Sequence, residues 1–376
     1  MLFGDDYLPL VFPYGLSPSS SNIDEEIKKI QLAESLGADM VKDNTIGRKE
    51  WEKLFERVSE ETNLCVGASA TITAANMASD RTGECSNPTE DEYYQAFERL
   101  AEVCDAIEVF PTITEESIYL LEKSNRLNKT SVSRAGAIIT RYMTRIPGKI
   151  SENPFYSNFE WFLNFAKKKD ITLILGNGYR AGCLADSMDD VQLYETGVMK
   201  EFSKKATDRG VKVIAGIFGH VDPSKKDKIE NIRSQIDVPI GGLGPLVTDI
   251  SLGYDHINAA IGIALLREYI DWVSLITPAE HIGLPNVNDV YDGMAAINTA
   301  RHILDLMNGS TEAYKKDSMM AKSRTTLDWQ GVVRSSINPY LNRLREVEKR
   351  TEKSFCDLCG EWCPLYNQIK NQVEKG

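Results

Sequence analysis

The chain has 376 residues, 42% hydrophobic and 26% charged, enough to bury one large core or two ordinary ones. A formal net charge of −12 argues against nucleic acid and anionic membrane surfaces as partners, though it names no small molecule. No apolar run approaches the roughly 18 residues of a membrane span. Residues 1–16 lack the charged start of a signal peptide, and seven cysteines, an odd number, do not read as a disulfide framework. The expected location is therefore the cytoplasm, a reducing compartment.

In chain order, short β-rich apolar runs predict strands over 38–42, 64–68, 106–110, 136–141, 171–176, 211–217, 238–241 and 272–276. Amphipathic stretches of helical period lie between them, over 23–36, 91–103, 155–169, 191–208, 224–235 and 257–269. Eight strands alternating with helical segments point to an α/β fold, a (β/α)₈ TIM-type barrel over 1–285, with a doubly wound open sheet as the alternative. After Pro285 the β signals fade. Helices over 290–307, 312–325 and 330–349 predict a helical bundle within 286–350. Residues 351–376 form a polar tail that carries three cysteines.

In a barrel the chemistry gathers where strands end and loops begin. Those places hold Ser133 and Arg134 in SVSRAGAI, Asn177 and Arg180 in LILGNGYRAG, and His220 in IAGIFGHVD. Further on come Asp249, Tyr254, Asp255 and His256, then Glu280 and His281 in LITPAEHIGLPN. Three of the four histidines fall on such loops, with His220 and His281 close behind the sixth and eighth predicted strands. Neutral imidazoles ligate zinc or ferrous iron, so the pair reads as half of a metal site; capping of the loops is the plainer alternative. Arg134 and Arg180, among glycines 136, 176, 178 and 182, offer guanidinium forks and exposed N–H groups to a phosphate or carboxylate.

The tail reads CDLCGEWC, with Cys356, Cys359 and Cys363 in eight positions and no fourth ligand downstream. A zinc ribbon would need two C-x₂-C pairs or a histidine. Three thiolates instead suit a [4Fe–4S] cluster with one open iron, of the kind that binds S-adenosylmethionine. Cys65, Cys85, Cys104 and Cys183 read as small buried hydrophobes.

Several segments together resemble the phosphomethylpyrimidine synthase family of radical S-adenosylmethionine enzymes, the ThiC type. The most specific is LGPLVTDISLGYDHINAAIG followed by ITPAEHIGLPNVNDV, with VSRAGAI, LGNGYRAG, GHVD and the tail cysteines in support. The likeness runs from about residue 24 to 363, and the amino-terminal domain of many relatives is expected to be missing. The resemblance implies a (β/α)₈ barrel, a helical carboxyl-terminal region, a cluster-bearing tail and a domain-swapped homodimer. It implies that His220 and His281 hold a divalent metal, zinc or iron, and that Cys356, Cys359 and Cys363 hold the [4Fe–4S] cluster. An electron donor such as ferredoxin or flavodoxin would accompany it.

The departures concern recognition. The family's tail is C-x₂-C-x₄-C, and here it is C-x₂-C-x₃-C. The family's Asp-Gly-Leu-Arg turn begins with Asn177, although Arg180 remains. The family's Glu before the metal histidine falls at Gly216, its Tyr before LGPL at Gly241, and its strand-end His at Phe110. Its Tyr, Met and Cys fall at Ile72, Lys42 and Ser274. A site built for aminoimidazole ribotide would lose hydrogen-bond partners, at roughly 1–3 kcal/mol for each unmet group. The expected function is thus a radical S-adenosylmethionine enzyme of lyase type in cofactor biosynthesis, acting on a small anionic substrate other than aminoimidazole ribotide. Ser133, Arg134, Asn177 and Arg180 would bind that substrate, and no residue is assigned to proton or hydrogen transfer. The alternatives are phosphomethylpyrimidine or hydroxybenzimidazole synthase acting on aminoimidazole ribotide, and, in another class, a non-catalytic zinc-binding scaffold.

Overall fold

The computed structural model describes residues 7–20, 22–47, 50–83, 87–337, 347, 349–350, 355–356 and 358–367. Eight parallel strands hydrogen-bond in chain order and close into a barrel. They are β1 (Leu10–Tyr14), β2 (Met40–Asp43), β3 (Cys65–Ser69), β4 (Ala106–Val109), β5 (Thr172–Leu175), β6 (Val213–His220), β7 (Ile240–Leu246) and β8 (Trp272–Ser274). β1 pairs with β2 on one side and β8 on the other, which closes the ring. Val11, Met40, Ala106, Ile174, Ile214 and Trp272 pack together as one buried layer, with Cys65 against it. The inside of the barrel is thus a core, not a pore.

The helices follow as α1 (Ile23–Ser35), α2 (Trp51–Glu61), α3 (Ala70–Thr82), α4 (Glu90–Leu100), α5 (Glu115–Lys123), α6 (Arg134–Met143), α7 (Pro154–Ser157) and α8 (Phe159–Lys169). After these come α9 (Asp190–Asp208), α10 (Lys226–Gln235), α11 (Asp255–Leu266), α12 (Val287–Met307), α13 (Thr311–Thr325) and α14 (Trp329–Arg334).

The barrel is the one expected, but the eight strands are not the same eight. The run 136–141 is helix α6, and the missing strand is β1. Ile138, Ile139 and Thr140 mimic a strand locally. Yet Ala135, Ile139 and Tyr142 form a buried stripe at helical spacing, and Ser133 caps the helix by accepting from the Gly136 N–H. β1 escapes detection because Pro13 lies inside a five-residue run, and a proline removes a ladder donor. The helix expected over 155–169 is broken at Asn158 into α7 and α8.

The chain divides into two compact units, Met1–Ile297 and Asn298–Gly376, with the boundary inside α12. In the second unit the Ser310 side chain caps α13, and His302 Nε2 lies 3.2 Å from Asp317 Oδ2. The helix expected over 330–349 ends at Arg334 as α14, and residues 338–346 and 348 lie outside the described residues. No described helix is long and apolar enough to cross a membrane.

Candidate active site at the barrel mouth

The carboxyl ends of the strands and the loops beyond them enclose a cavity of about 820 Å³ within the first unit. Ser133, Arg134, Asn177, Arg180, His220 and His281 all line it, although they come from four separate stretches of chain. His256 stands apart, in the first turn of α11, with its Nδ1 buried and unpartnered.

β6 runs long, to His220, through register shifts against β7 that start at Gly216. That irregular end lifts the imidazole to the rim. Its Nδ1 lies 2.7 Å from Asp249 Oδ1, and both Asp249 oxygens also accept from the Leu184 N–H. His281 holds a left-handed backbone, φ 62°, which non-glycine residues seldom adopt and which marks a constrained turn. Its Nδ1 is 3.6 Å from Asp255 Oδ2, and Asp255 Oδ1 accepts from Ser251 Oγ. The two rings face one another with centroids 5.4 Å apart and planes at 51°. Two imidazoles bound through nitrogen to one tetrahedral zinc place their centroids about 5 Å apart. The carboxylate hydrogen-bonded to His220 Nδ1 leaves its Nε2 as the ligating atom, the usual support for a metal-bound histidine, while Asp255 Oδ2 lies near His281 without bonding to it. Burial also holds His220 below its ordinary pKa, against the pull of Asp249, and so keeps it neutral. The pair fits a divalent metal. No group of three His, Cys, Asp or Glu ligands forms among the described residues, so further coordination positions would fall to water or substrate.

Arg134 and Arg180 come from two elements that are stitched together. A Cβ on Gly136 of α6 would collide with the Gly178 backbone, so only glycine lets helix and turn meet. Ser131 Oγ donates to the Gly178 carbonyl at 2.6 Å, and Thr140 Oγ1 lies 2.8 Å from Tyr179 Oη. From below, Glu195 of α9 accepts from the Gly178 and Tyr179 N–H groups and from Thr112 Oγ1. Burial pushes this carboxyl up to about 8, although the hydrogen bonds pull the other way. Arg134 donates to the Asn44 carbonyl at 2.8 Å. Arg180 has no hydrogen-bonded or ion-paired partner among the described residues. Burial lowers its pKa, with Glu108, Glu280 and Glu195 opposing. A half-buried guanidinium facing the cavity without a partner is a ready-made site for an anion. Asn177 accepts from the Tyr179 N–H through Oδ1, while its Nδ2 is buried without a partner. Ser133 lines the cavity while its hydroxyl caps α6.

The floor explains how the altered positions fit together. Lys42, Ile72, Phe110, Gly216 and Ser274 all line the cavity. Trp272 lies over Gly241, where any Cβ would collide with its carbonyl and ring, and makes van der Waals contact at Gly216. Phe110 is likewise pressed on Gly176. Two aromatic rings therefore occupy space that side chains at 241 and 176 would need. Lys42 Nζ meets Glu108 Oε1 at 2.6 Å, and Lys29 pairs with Glu26 while donating to the Pro285 carbonyl.

Sequence reasoning did not single out Glu195, Glu108 or the orienting role of Asp249. Glu195 had a signal: it falls on the buried stripe Val191, Glu195, Met199 and Phe202 of α9. The carboxylate behind His220 had none, since Asp249 is 29 residues from it.

In the second unit, Cys356, Cys359 and Cys363 lie on one tight turn. The Cys356 carbonyl accepts from the Gly360 N–H at 3.0 Å, Gly360 is left-handed at φ 54°, and the Cys363 N–H donates back to Gly360. Phe355 and Tyr366 close the turn edge to face, with centroids 5.2 Å apart. The N–H groups of Cys359 and Leu358 hold the Cys356 thiol below its ordinary pKa. A curled turn with amides directed at sulfur fits a thiolate-ligated cluster. By contrast Cys104 is buried, and burial pushes the half-buried Cys65 thiol up to about 12, which disfavours its thiolate. Cys183 is half-buried, and Cys85 lies outside the described residues.

A family model described as the radical SAM ThiC family matches residues 12–370. Phosphomethylpyrimidine synthase of Methanocaldococcus jannaschii is 34% identical over 358 residues, covering 93% of this chain and 82% of that protein. The protein of the same name from Caldanaerobacter subterraneus subsp. tengcongensis is 36% identical, with 93% and 81% covered. That from Geobacter metallireducens is 34% identical, with 96% and 83% covered. The chain belongs to the radical SAM ThiC family.

Proposed function

We propose that this protein is a radical S-adenosylmethionine enzyme of lyase type that acts on a small anionic substrate other than aminoimidazole ribotide. The observation that carries the reading is the cavity floor. Trp272 and Phe110 fill it above Gly241 and Gly176, while the His220–His281 pair and the unpaired Arg180 remain in place. The reactive apparatus is kept and the recognition surface is rebuilt.

Cys356, Cys359 and Cys363 would hold a [4Fe–4S] cluster, which with bound S-adenosylmethionine supplies a 5′-deoxyadenosyl radical for hydrogen abstraction. Arg180, with Arg134 also lining the cavity, binds the anionic group through charge-assisted hydrogen bonds. Asn177 Nδ2 offers a further donor. His220 and His281 would ligate the divalent metal, and Asp249 fixes the orientation of the His220 ring. Trp272 and Phe110 wall the floor with apolar surface and keep bulk water from the reacting group. The protein is expected to work in cofactor biosynthesis, as a homodimer, with a ferredoxin or flavodoxin as electron donor.

The test is anaerobic reconstitution with iron and sulfide, followed by dithionite and S-adenosylmethionine. The expected result is visible cluster absorption and formation of 5′-deoxyadenosine. Zinc in the cysteine turn without iron or sulfide would favour the scaffold reading instead. A second reading, use of aminoimidazole ribotide itself, draws on the name of the matched relatives. Expression in a thiamine-pyrimidine auxotroph separates the two: growth supports the second reading, and the rebuilt floor leads us to expect none.

A further inference from the structure

Among the groups lining the cavity, one pair plays no part in the mechanism so far. Lys42 of β2 and Glu108 of β4 reach across the intervening β3 to meet at 2.6 Å. Their side chains are only 16% and 12% exposed, and both line the cavity. Such a pair is a poor device for stability, because stripping two charges of water costs about as much as their attraction returns. An apolar pair would pack the barrel interior at least as well. Each partner also keeps capacity to spare: the ammonium has three N–H groups and the carboxylate two oxygens, and one bond joins them.

Charge decides what such a pair can read. A carboxylate or phosphate placed against it would meet Lys42 but be repelled by Glu108. An amine or bare ring N–H would meet Glu108 but be opposed by Lys42. A neutral group presenting an acceptor beside a donor satisfies both. The surplus positive charge lies elsewhere, at Arg134 and Arg180, which face Glu280 as the remaining carboxylate once Lys29–Glu26 and Lys42–Glu108 are paired off. The buried Nε1 of Trp272, also without a partner, adds a donor on the floor.

We propose that Lys42 and Glu108 are the specificity-determining pair of the cavity. They read a neutral acceptor-beside-donor group, such as a carboxamide, on a substrate whose anionic group lies at Arg180. This rests on the functional reading above for the anionic substrate and adds its chemical class.

The test uses two probes that differ only in that group, aminoimidazole ribotide and its 4-carboxamide analogue. Calorimetry on the full-length, anaerobically reconstituted protein should show the carboxamide probe bound about tenfold tighter. Lys42→Met should erase the preference, and Glu108→Gln should reduce it about threefold or more. If Lys42→Met does not fold, the isosteric Glu108→Gln carries the test by itself. A purely structural ion pair would lower the unfolding midpoint in these variants and leave the preference unchanged, which overturns the proposal. Wild-type protein that binds the probes equally, or binds neither, overturns it as well. Binding needs no cleavage of S-adenosylmethionine. Protein with the preference but no 5′-deoxyadenosine would overturn the radical reading alone, and the reverse pattern would overturn this one alone.

Discussion

At the residue scale, His220 of the proposed metal pair is oriented by a carboxylate that the chain supplies from another loop. Asp249 holds His220 at 2.7 Å while it also ties down the Leu184 N–H. Asp249→Asn keeps an acceptor for that N–H but loses the charge that makes the imidazole a stronger ligand. We expect metal affinity to fall by about 10- to 100-fold, read by chelator competition, with the unfolding midpoint little changed. The histidines themselves were legible in the sequence, because scarce histidines at strand ends stand out. The partner of His220 was not. An aspartate in a polar loop looks the same whether it faces water or an imidazole, and only the left-handed turn at His281 brings the two rings together.

At the element scale, the anion-binding turn depends on two helices that sequence reasoning read differently. α6 was expected as a strand, since β-branched residues outweigh a short helical stripe when only local propensity is weighed. α9 was expected as a helix, and its buried stripe contains Glu195. Burial raises this carboxyl from 4.5 to about 8, so the folded chain binds a proton that the unfolded chain has released across that interval. The sign follows: stability falls as pH rises between those values, because the folded state holds the extra proton. Glu195→Gln, which keeps an acceptor for the Tyr179 N–H without the ionisation, should flatten that slope in urea unfolding measured across the interval. A slope identical to wild type would mean Glu195 ionises as it does in the unfolded chain. Buried Asp43, raised to about 6, contributes in the same direction at lower pH and remains in both proteins.

At the scale of the whole molecule, the two proposed sets of metal ligands belong to different compact units, the imidazoles to Met1–Ile297 and the cysteines to Asn298–Gly376. Replacing Cys356, Cys359 and Cys363 together with alanine should abolish iron and sulfide binding while the barrel retains one divalent metal per chain. Elemental analysis with visible absorption reads both, and loss of the barrel metal in that variant would show that the two sites are coupled. From its sequence alone the chain determined its barrel class, its carboxyl-terminal helices, its family, and the positions of Arg180, His220, His281 and the three cysteines. These follow from periodicity and from rare residue types at strand ends, which are local properties. Tertiary structure alone decided that β1 closes the barrel despite Pro13, that Trp272 fills the space above Gly241, and that Lys42 meets Glu108. Each of these joins residues far apart in the chain through volume or charge, and nothing in their immediate neighbours records the match.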